Sequence, residues 1–509
     1  MIFTLNPLRN FINNWPKLAL FIAGVLCGTA QAPLFWIWGL CGFSVLVYLI
    51  FDSTNIQEAI KRNITFGFGY FGYGFYWTAI AISVYIEDFW WAIPIALIGL
   101  PMIFCIFTSL ATIFIWRFRN HIHYVMIYTI FWILIEWLTG WIFTGLPWML
   151  IGYSVGFSDI LSQSASISGV LGISFVLFNI IGTFYYIWKI EASILKKDIA
   201  YFVIVIASMY LYGIWRLHEH NISFTDTKIR IIQPSIDQGQ KWNAELFWKN
   251  LDIHAKLSLI ETGVKPDIIL WSEAAVVAPY QIEAVHNYLK EVAKKSEAIL
   301  LTGAVSAQNK HDYTALIALN PLGELLFEYH KMHLVPFGEY VPLRDFIPIK
   351  KLTHGMVDYS PGLTDKVFYI NKIKAFVRPM ICYESLFAEE IKTKDADLLI
   401  NITNSSWYGN STAPYHLFYV NKFRAIENST PVIVSANSGI SGIFDSLGRI
   451  IGKTELNDIT TLDMYIPQKI NGSTPYSRAG LNTLLIIMVF LHQLRIMLNK
   501  IFQKPQSTS

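Results

Sequence analysis

The sequence predicts a polytopic α-helical membrane domain of about eight spans joined to an α/β domain outside the cytoplasm. Three observations carry this expectation. The 509 residues are 54% hydrophobic and only 15% charged, too apolar for an ordinary soluble chain. Apolar stretches near spanning length recur, seven toward the N-terminus and one near the C-terminus. Between the two groups lies a long segment of short apolar runs separated by polar residues, Gly and Pro, the pattern of a mixed α/β domain.

The apolar stretches run over residues 17–32, 33–51, 64–85, 90–116, 122–143, 163–188, 199–215 and 479–494. A spanning helix needs about 20 mostly apolar residues, so most qualify and the first and seventh are marginal. Lys17, the apolar run after it and Ala30-Gln31-Ala32 also resemble a cleavable signal peptide. A second apolar stretch follows within a few residues, which favours a retained helix. Lys and Arg near helix ends favour the cytoplasmic side. They flank alternate stretches: Arg9 and Lys17, Lys61 and Arg62, Arg117 and Arg119, then Lys189, Lys196 and Lys197, and finally Arg495, Lys500 and Lys504. The intervening loops, around Ala32, around Glu87 and over 145–162, contain neither residue. This alternation places both termini in the cytoplasm and the long segment outside it. The expected domains are a seven-helix membrane domain over 1–217, an external α/β domain over 218–477, and a C-terminal spanning helix with a cytoplasmic tail over 478–509. A net charge of +3 gives no reason to expect a nucleic-acid partner.

Within the long segment, residues 228–233, 267–271, 298–306, 313–320, 325–329, 374–382, 397–403, 431–436, 442–444 and 460–465 read as strands. Residues 244–261, 281–295 and 414–427 carry apolar residues three and four apart and read as helices. Strands interleaved with helices imply packed α/β layers around a sizeable core.

Three of the four cysteines, Cys27, Cys41 and Cys105, sit in apolar stretches. Only Cys382 lies in the polar half, in Met380-Ile381-Cys382-Tyr383-Glu384-Ser385. A lone cysteine at a strand end is more often a small core residue than a nucleophile. To be a nucleophile it must become a thiolate, and a thiol of pKa about 8.5 needs a base to do so near neutrality. Glu273 closes the run Ile268-Ile269-Leu270-Trp271-Ser272 and is a candidate base. Lys331 opens Lys331-Met332-His333-Leu334-Val335-Pro336-Phe337-Gly338-Glu339-Tyr340-Val341-Pro342 and could stabilise an oxyanion. Taken singly, each would more often be a solvated or ion-paired surface residue. His330, His333 and His416 suggest a metal site, but the two histidines three apart, on what reads as a strand or loop, lack a third ligand at sensible spacing, so no metal is expected. Trp90, Trp91, Trp141 and Trp148 read as interfacial anchors, and Trp148, on the side expected to be external, is also a candidate lipid contact. Glu136, near the external end of the fifth stretch, is an ionisable group in a span and a functional candidate by default.

Glu, Lys and Cys in this order and with these flanks resemble the nitrilase, or carbon-nitrogen hydrolase, superfamily. The run 330–342, Ile381-Cys382-Tyr383-Glu384 and the arrangement of seven spans, an external domain and one more span resemble its apolipoprotein N-acyltransferase branch over nearly the whole chain. The resemblance implies an α-β-β-α sandwich on the periplasmic face of a bacterial inner membrane. It implies Cys382 as nucleophile, Glu273 as base and Lys331 as electrostatic stabiliser. Glu339, Tyr383 and Glu384 would support them, while Trp242, Gly338, Trp407 and Trp148 would shape substrate binding. The implied partners are a membrane phospholipid as acyl donor and a diacylglyceryl apolipoprotein as acceptor, with no cofactor, no metal and a monomeric enzyme. Three positions depart from the family's pattern: Ser272 stands where Pro is common, Ser405 where Asp is common, and Thr139 where Arg is expected. The alternative within enzymes is a membrane-tethered amidase that hydrolyses a small carbon-nitrogen substrate with the same three residues. Eight spans argue against it, since one anchor would suffice.

Overall fold

The computed structural model describes residues 2–121, 124–185, 188, 192–263, 265–346, 349–353, 358–363 and 367–502. The chain divides into two compact units. The first comprises residues 1–79, 91–219 and 478–509, and the second residues 80–90 and 220–477.

The first unit is helical. Three of its described helices, Ala92–Arg117, Ala165–Gly182 and Lys197–Glu219, are long and apolar enough to cross a membrane; a fourth candidate is the pair Asn6–Asn14 and Pro16–Gly28, bent by 113°. The other apolar stretches are helical too, but shorter: Ile37–Phe51, Tyr124–Leu138 and Asn482–Leu498. The stretch read as 64–85 belongs to a helix, Ile56–Phe75, whose first turns carry Glu58, Lys61 and Arg62, followed by a separate short helix, Trp77–Ser83. Helices Pro16–Gly28 and Ile56–Phe75 cross at glycines. A Cβ on Gly24 would lie 2.1 Å from the Phe66 carbonyl oxygen, and one on Gly69 2.2 Å from that of Phe21. Small residues are what lets two helix backbones approach this closely in a membrane. Phe43 centres the core, its ring 5.0–5.4 Å from those of Phe66, Tyr70, Trp132 and Phe178.

The second unit contains two sheets. The first has the order β13-β1-β2-β4-β5-β6, with β3 paired to β4. Its strands are β1 (Phe224–Gln233), β2 (Ile268–Leu270), β3 (Val276–Pro279), β4 (Ile299–Gln308), β5 (His311–Leu319), β6 (Leu325–His330) and β13 (Thr460–Pro467). The second has the order β12-β11-β10-β9-β8-β7, built from β7 (Phe368–Ile370), β8 (Ala375–Ile381), β9 (Leu398–Thr403), β10 (Val432–Ala436), β11 (Gly442–Phe444) and β12 (Ile450–Lys453). The central strands β1, β2 and β4 are mutually parallel, as are β8, β9 and β10. Of these, β2, β9 and β10 are buried along their whole length, as parallel strands covered on both faces are.

The sheets face one another, β1 toward β10 and β5 toward β8. The buried Ser435 hydroxyl lies 3.5 Å from the Ile232 carbonyl and 3.4 Å from that of Leu270, between the layers. Helices α1 (Phe247–Ser258) and α2 (Glu283–Ser296) cover the first sheet, placing Leu251, Val285, Leu289 and Val292 against Ile232, Ile269 and Leu300. Helix α3 (Ala413–Asn428) covers the second, with Phe418 and Ala425 against Leu399, Val432 and Val434. The layers therefore run α-β-β-α. Strands β3, β7 and β12 were not expected from the sequence. They are three or four residues long, too short to display an alternating pattern.

Candidate active site

The three residues singled out from sequence each follow the end of a strand: Glu273 after β2, Lys331 after β6 and Cys382 after β8. Parallel sheets present the carboxyl ends of their strands at one edge, which is where α/β folds collect their sites. Lys331 is 1% exposed. Its Nζ donates to Glu273 Oε1 at 3.1 Å and to Glu339 Oε1 at 2.9 Å. Burial opposes a charge here, but the Glu273 and Glu339 carboxylates outweigh it, and the ammonium is held protonated well above its ordinary range. Two of its three N–H groups are committed to the two carboxylates, leaving the third for a developing oxyanion.

Cys382 has φ +54°, an unusual conformation for a residue with a side chain. Its N–H donates to Asn401 Oδ1 at 3.0 Å, and the turn Cys382–Leu386 begins at it. Burial pushes the thiol up to about 12, and the Glu273 charge adds to that; Lys331 and a hydrogen bond from Thr403 work the other way. The resting sulfur is thus a thiol, and it would have to lose that proton to act as a nucleophile. Glu273 Oε2 accepts the Asn404 N–H at 2.9 Å, so this carboxylate is held from both sides, by Lys331 and by the turn after β9.

The Glu273 backbone is fixed by two contacts that its own sequence does not reveal. Lys241, 2% exposed, donates from Nζ to the Glu273 carbonyl at 3.0 Å. Gly303 of β4 lies beneath the same segment: a Cβ there would stand 2.6 Å from the Ser272 oxygen and 2.7 Å from Glu273 Cα. With Ser272 lacking the restraint of a proline ring, these two contacts supply it.

The supporting residues differ in what they touch. Glu339 bonds Lys331 and, through Oε2, the Val335 N–H at 2.8 Å. Glu384 accepts from the N–H groups of Ile381 (2.7 Å), Met332 (2.7 Å) and His333 (3.2 Å) and from the Tyr329 hydroxyl (2.9 Å). It staples the Cys382 turn to the segment that carries Lys331. The Tyr383 ring packs against His333 and Phe387 at 5.5 and 5.0 Å. The Gly338 carbonyl accepts both the N–H (3.1 Å) and the hydroxyl (2.7 Å) of Thr353. Trp242 is half-buried beside Lys241, and Trp407 meets the Tyr85 ring edge-on at 5.9 Å. Trp148 belongs to the first unit, where it is 2% exposed and packs on Trp77 with ring centres 4.4 Å apart. Glu136 and Thr139 are in that unit too. Glu136 Oε1 accepts the Ile151 N–H at 2.8 Å and Thr139 donates to the Glu136 carbonyl at 2.6 Å. Asn404, Lys241, Gly303 and Thr403 were not singled out from sequence. Of these, Asn404 and Lys241 lay in runs already of interest, beside Ser405 and Trp242.

A family model described as Apolipoprotein N-acyltransferase N-terminal domain matches residues 23–182, and one described as Carbon-nitrogen hydrolase matches residues 228–474. The chain is 44% identical over 492 residues to the apolipoprotein N-acyltransferase of Rickettsia bellii, covering 95% of this chain and 98% of that one. It is 30% identical over 519 residues to that of Brucella melitensis, covering 94% and 95%. Among solved structures, a CN-hydrolase superfamily protein from Xanthomonas campestris aligns with TM-score 0.38 at 17% identity, over 52% of this chain and 97% of that one. With its identity to relatives extending through both units, the chain belongs to the apolipoprotein N-acyltransferase family.

Proposed function

We propose that this enzyme transfers an acyl chain from a membrane phospholipid to the α-amino group of the S-diacylglyceryl cysteine of apolipoproteins, through a thioester on Cys382. Glu273 takes the thiol proton as sulfur attacks the ester carbonyl. Lys331, with the Tyr383 N–H, stabilises the oxyanion. Collapse expels the lysophospholipid alkoxide, which takes the proton from Glu273. In the second half the neutral α-amine attacks the thioester, its surplus proton passes to Glu273, and the departing thiolate recovers it. The thioester conserves the reactivity of the original ester, so the residues present suffice for both halves. Both substrates are lipid-anchored, which suits a catalytic unit tethered at the outer face of an inner membrane by eight crossings and working as a monomer.

The observation that best supports this reading is the buried Lys331 ammonium bonded to Glu273 and Glu339 beside a thiol that the Glu273 and Lys331 charges both influence. The test is to incubate the purified enzyme with acyl-labelled phospholipid and then with a diacylglyceryl lipopeptide. Hydroxylamine-sensitive label should accumulate on the wild type, be absent from Cys382→Ala, and move to the lipopeptide amine. A wild type that never becomes labelled defeats the thioester mechanism. Label released only as free fatty acid favours hydrolysis.

A further inference from the structure

Glu273 and Lys331 do not account for every group directed at the sulfur. Strands β8 and β9 are parallel with Ile381 beside Ile402, so the next residues, Cys382 and Thr403, emerge together at the sheet edge. The Thr403 side chain is 4% exposed, and Oγ1 donates to Cys382 Sγ at 3.1 Å. A hydroxyl buried at this depth costs stability unless it is bonded. Valine is close to it in shape and would serve a strand interior at no such cost. The backbone of Thr403 is already engaged, its carbonyl accepting the Asn437 N–H at 3.1 Å, so the hydroxyl is directed at the sulfur rather than at the sheet.

We propose that Thr403 is a further catalytic residue, whose hydroxyl holds the Cys382 sulfur whenever that sulfur carries negative charge. A neutral thiol and a thioester sulfur are weak hydrogen-bond acceptors, whereas a thiolate is a strong one. The same bond therefore contributes little to the resting enzyme and to the acyl-enzyme. It contributes most in the two transition states between them, as the S–H proton passes to Glu273 on the way in and as the thiolate departs on the way out. An interaction stronger in the transition state than on either side of it accelerates the chemistry. Nearby Tyr408 also hydrogen-bonds Cys382, so removing Thr403 weakens the cradle without stripping it. This role rests on Cys382 being the nucleophile.

The test compares full-length wild type, Thr403→Val, Thr403→Ala and Thr403→Ser in detergent micelles. Two quantities are followed: the rate of iodoacetamide alkylation on the Cys382 peptide at about pH 8 by mass spectrometry, which scales with the small thiolate fraction, and the single-turnover rate of acyl labelling from phospholipid. Thr403→Val and Thr403→Ala should slow alkylation and labelling about tenfold each, the size of one hydrogen bond to a charged group. Thr403→Ser should recover most of both. Wild-type rates in Thr403→Val overturn the proposal. So does a Thr403→Ser as slow as Thr403→Ala, which would assign the effect to the lost methyl. If Thr403→Val does not fold, the Ala and Ser pair gives the same decision. Failure of the wild type itself to carry label would count against Cys382 as acyl carrier, whereas normal labelling with no Thr403 effect counts against Thr403 alone.

Discussion

Lys241 is a charge placed where a charge is costly. Its ammonium is 2% exposed and bonded to a backbone carbonyl. Burial lowers it to about 7, with the Glu273 charge acting in the opposite direction, against about 10.4 in an unfolded chain. Between these values the unfolded chain binds more protons at this residue than the folded one, so Lys241 makes stability rise with pH across that window. Below about 7 its penalty is present in full. Neighbouring His254 is held neutral by burial down to about 3 and so does not titrate there. Lys241→Met keeps the length and removes the charge. It leaves the Glu273 carbonyl without its donor, a pH-independent loss of about 1 kcal/mol. The melting temperature of wild type relative to Lys241→Met should therefore climb between pH 7 and pH 10. A difference that stays flat over that range would remove this account. In Gln240-Lys241-Trp242 only Trp242 was singled out, because a lysine beside a polar residue carries no sign in the sequence of its own burial. Thr403 was hidden for the opposite reason: a β-branched residue in an apolar strand reads as core. Cys382, Glu273 and Lys331 were legible because their flanks form a recognisable set, not because any one of them is distinctive alone.

At the scale of elements, the site is assembled from strand ends, and its accuracy depends on how closely strands approach. β2 and β4 pair in parallel, Leu270 beside Leu301, so Gly303 falls under the segment where the chain leaves β2 to reach Glu273. The atoms that a Cβ at 303 would strike are backbone, Ser272 O at 2.6 Å, Glu273 Cα at 2.7 Å and Ala274 N at 2.8 Å. None is a flexible side-chain tip that could swing away. Gly303→Ala should therefore displace the Ser272–Ala274 segment, destabilise the enzyme by about 1–3 kcal/mol, and, with Glu273 as the proposed base, slow acyl labelling of Cys382 by tenfold or more. A misplacement of the order of an ångström commonly costs a factor of about a hundred. Gly72→Ala, where a Cβ would meet nothing within 4 Å, is the matched control and should label at the wild-type rate. Equal labelling in both variants would show that the base does not depend on this contact. The long strands and three helices of this unit were visible as periodicity. Gly303 was not, because a glycine in a strand signals close approach in general but not which backbone approaches.

At the scale of the whole molecule, what the sequence displays most strongly is alternation: basic loops alternate with loops lacking Lys and Arg, and the apolar stretches separate them. The helices themselves are less uniform than that pattern. Only three described ones pass as spans on length and composition, or four with the bent pair, and others are 10–17 residues long. Hydropathy sums over prolines, glycines and turns that interrupt a helix without making it polar. The stretch over 64–85, for instance, is broken by a turn at Tyr76 between the helices Ile56–Phe75 and Trp77–Ser83, although the residues at the break, Phe75, Tyr76 and Trp77, are all aromatic. Charge in short loops is a separate signal from helix length, because it acts on orientation during insertion. The topology can therefore be tested independently of how regular each helix is. Alkaline phosphatase, active only outside the cytoplasm, should be active when fused after Glu219 and inactive when fused after Arg119. A fusion to green fluorescent protein, fluorescent only in the cytoplasm, should give the reverse at both sites. Fluorescence after Glu219 would place the catalytic unit inside the cell. An eight-crossing arrangement with an external thiol would then be untenable, whatever the chemistry at Cys382.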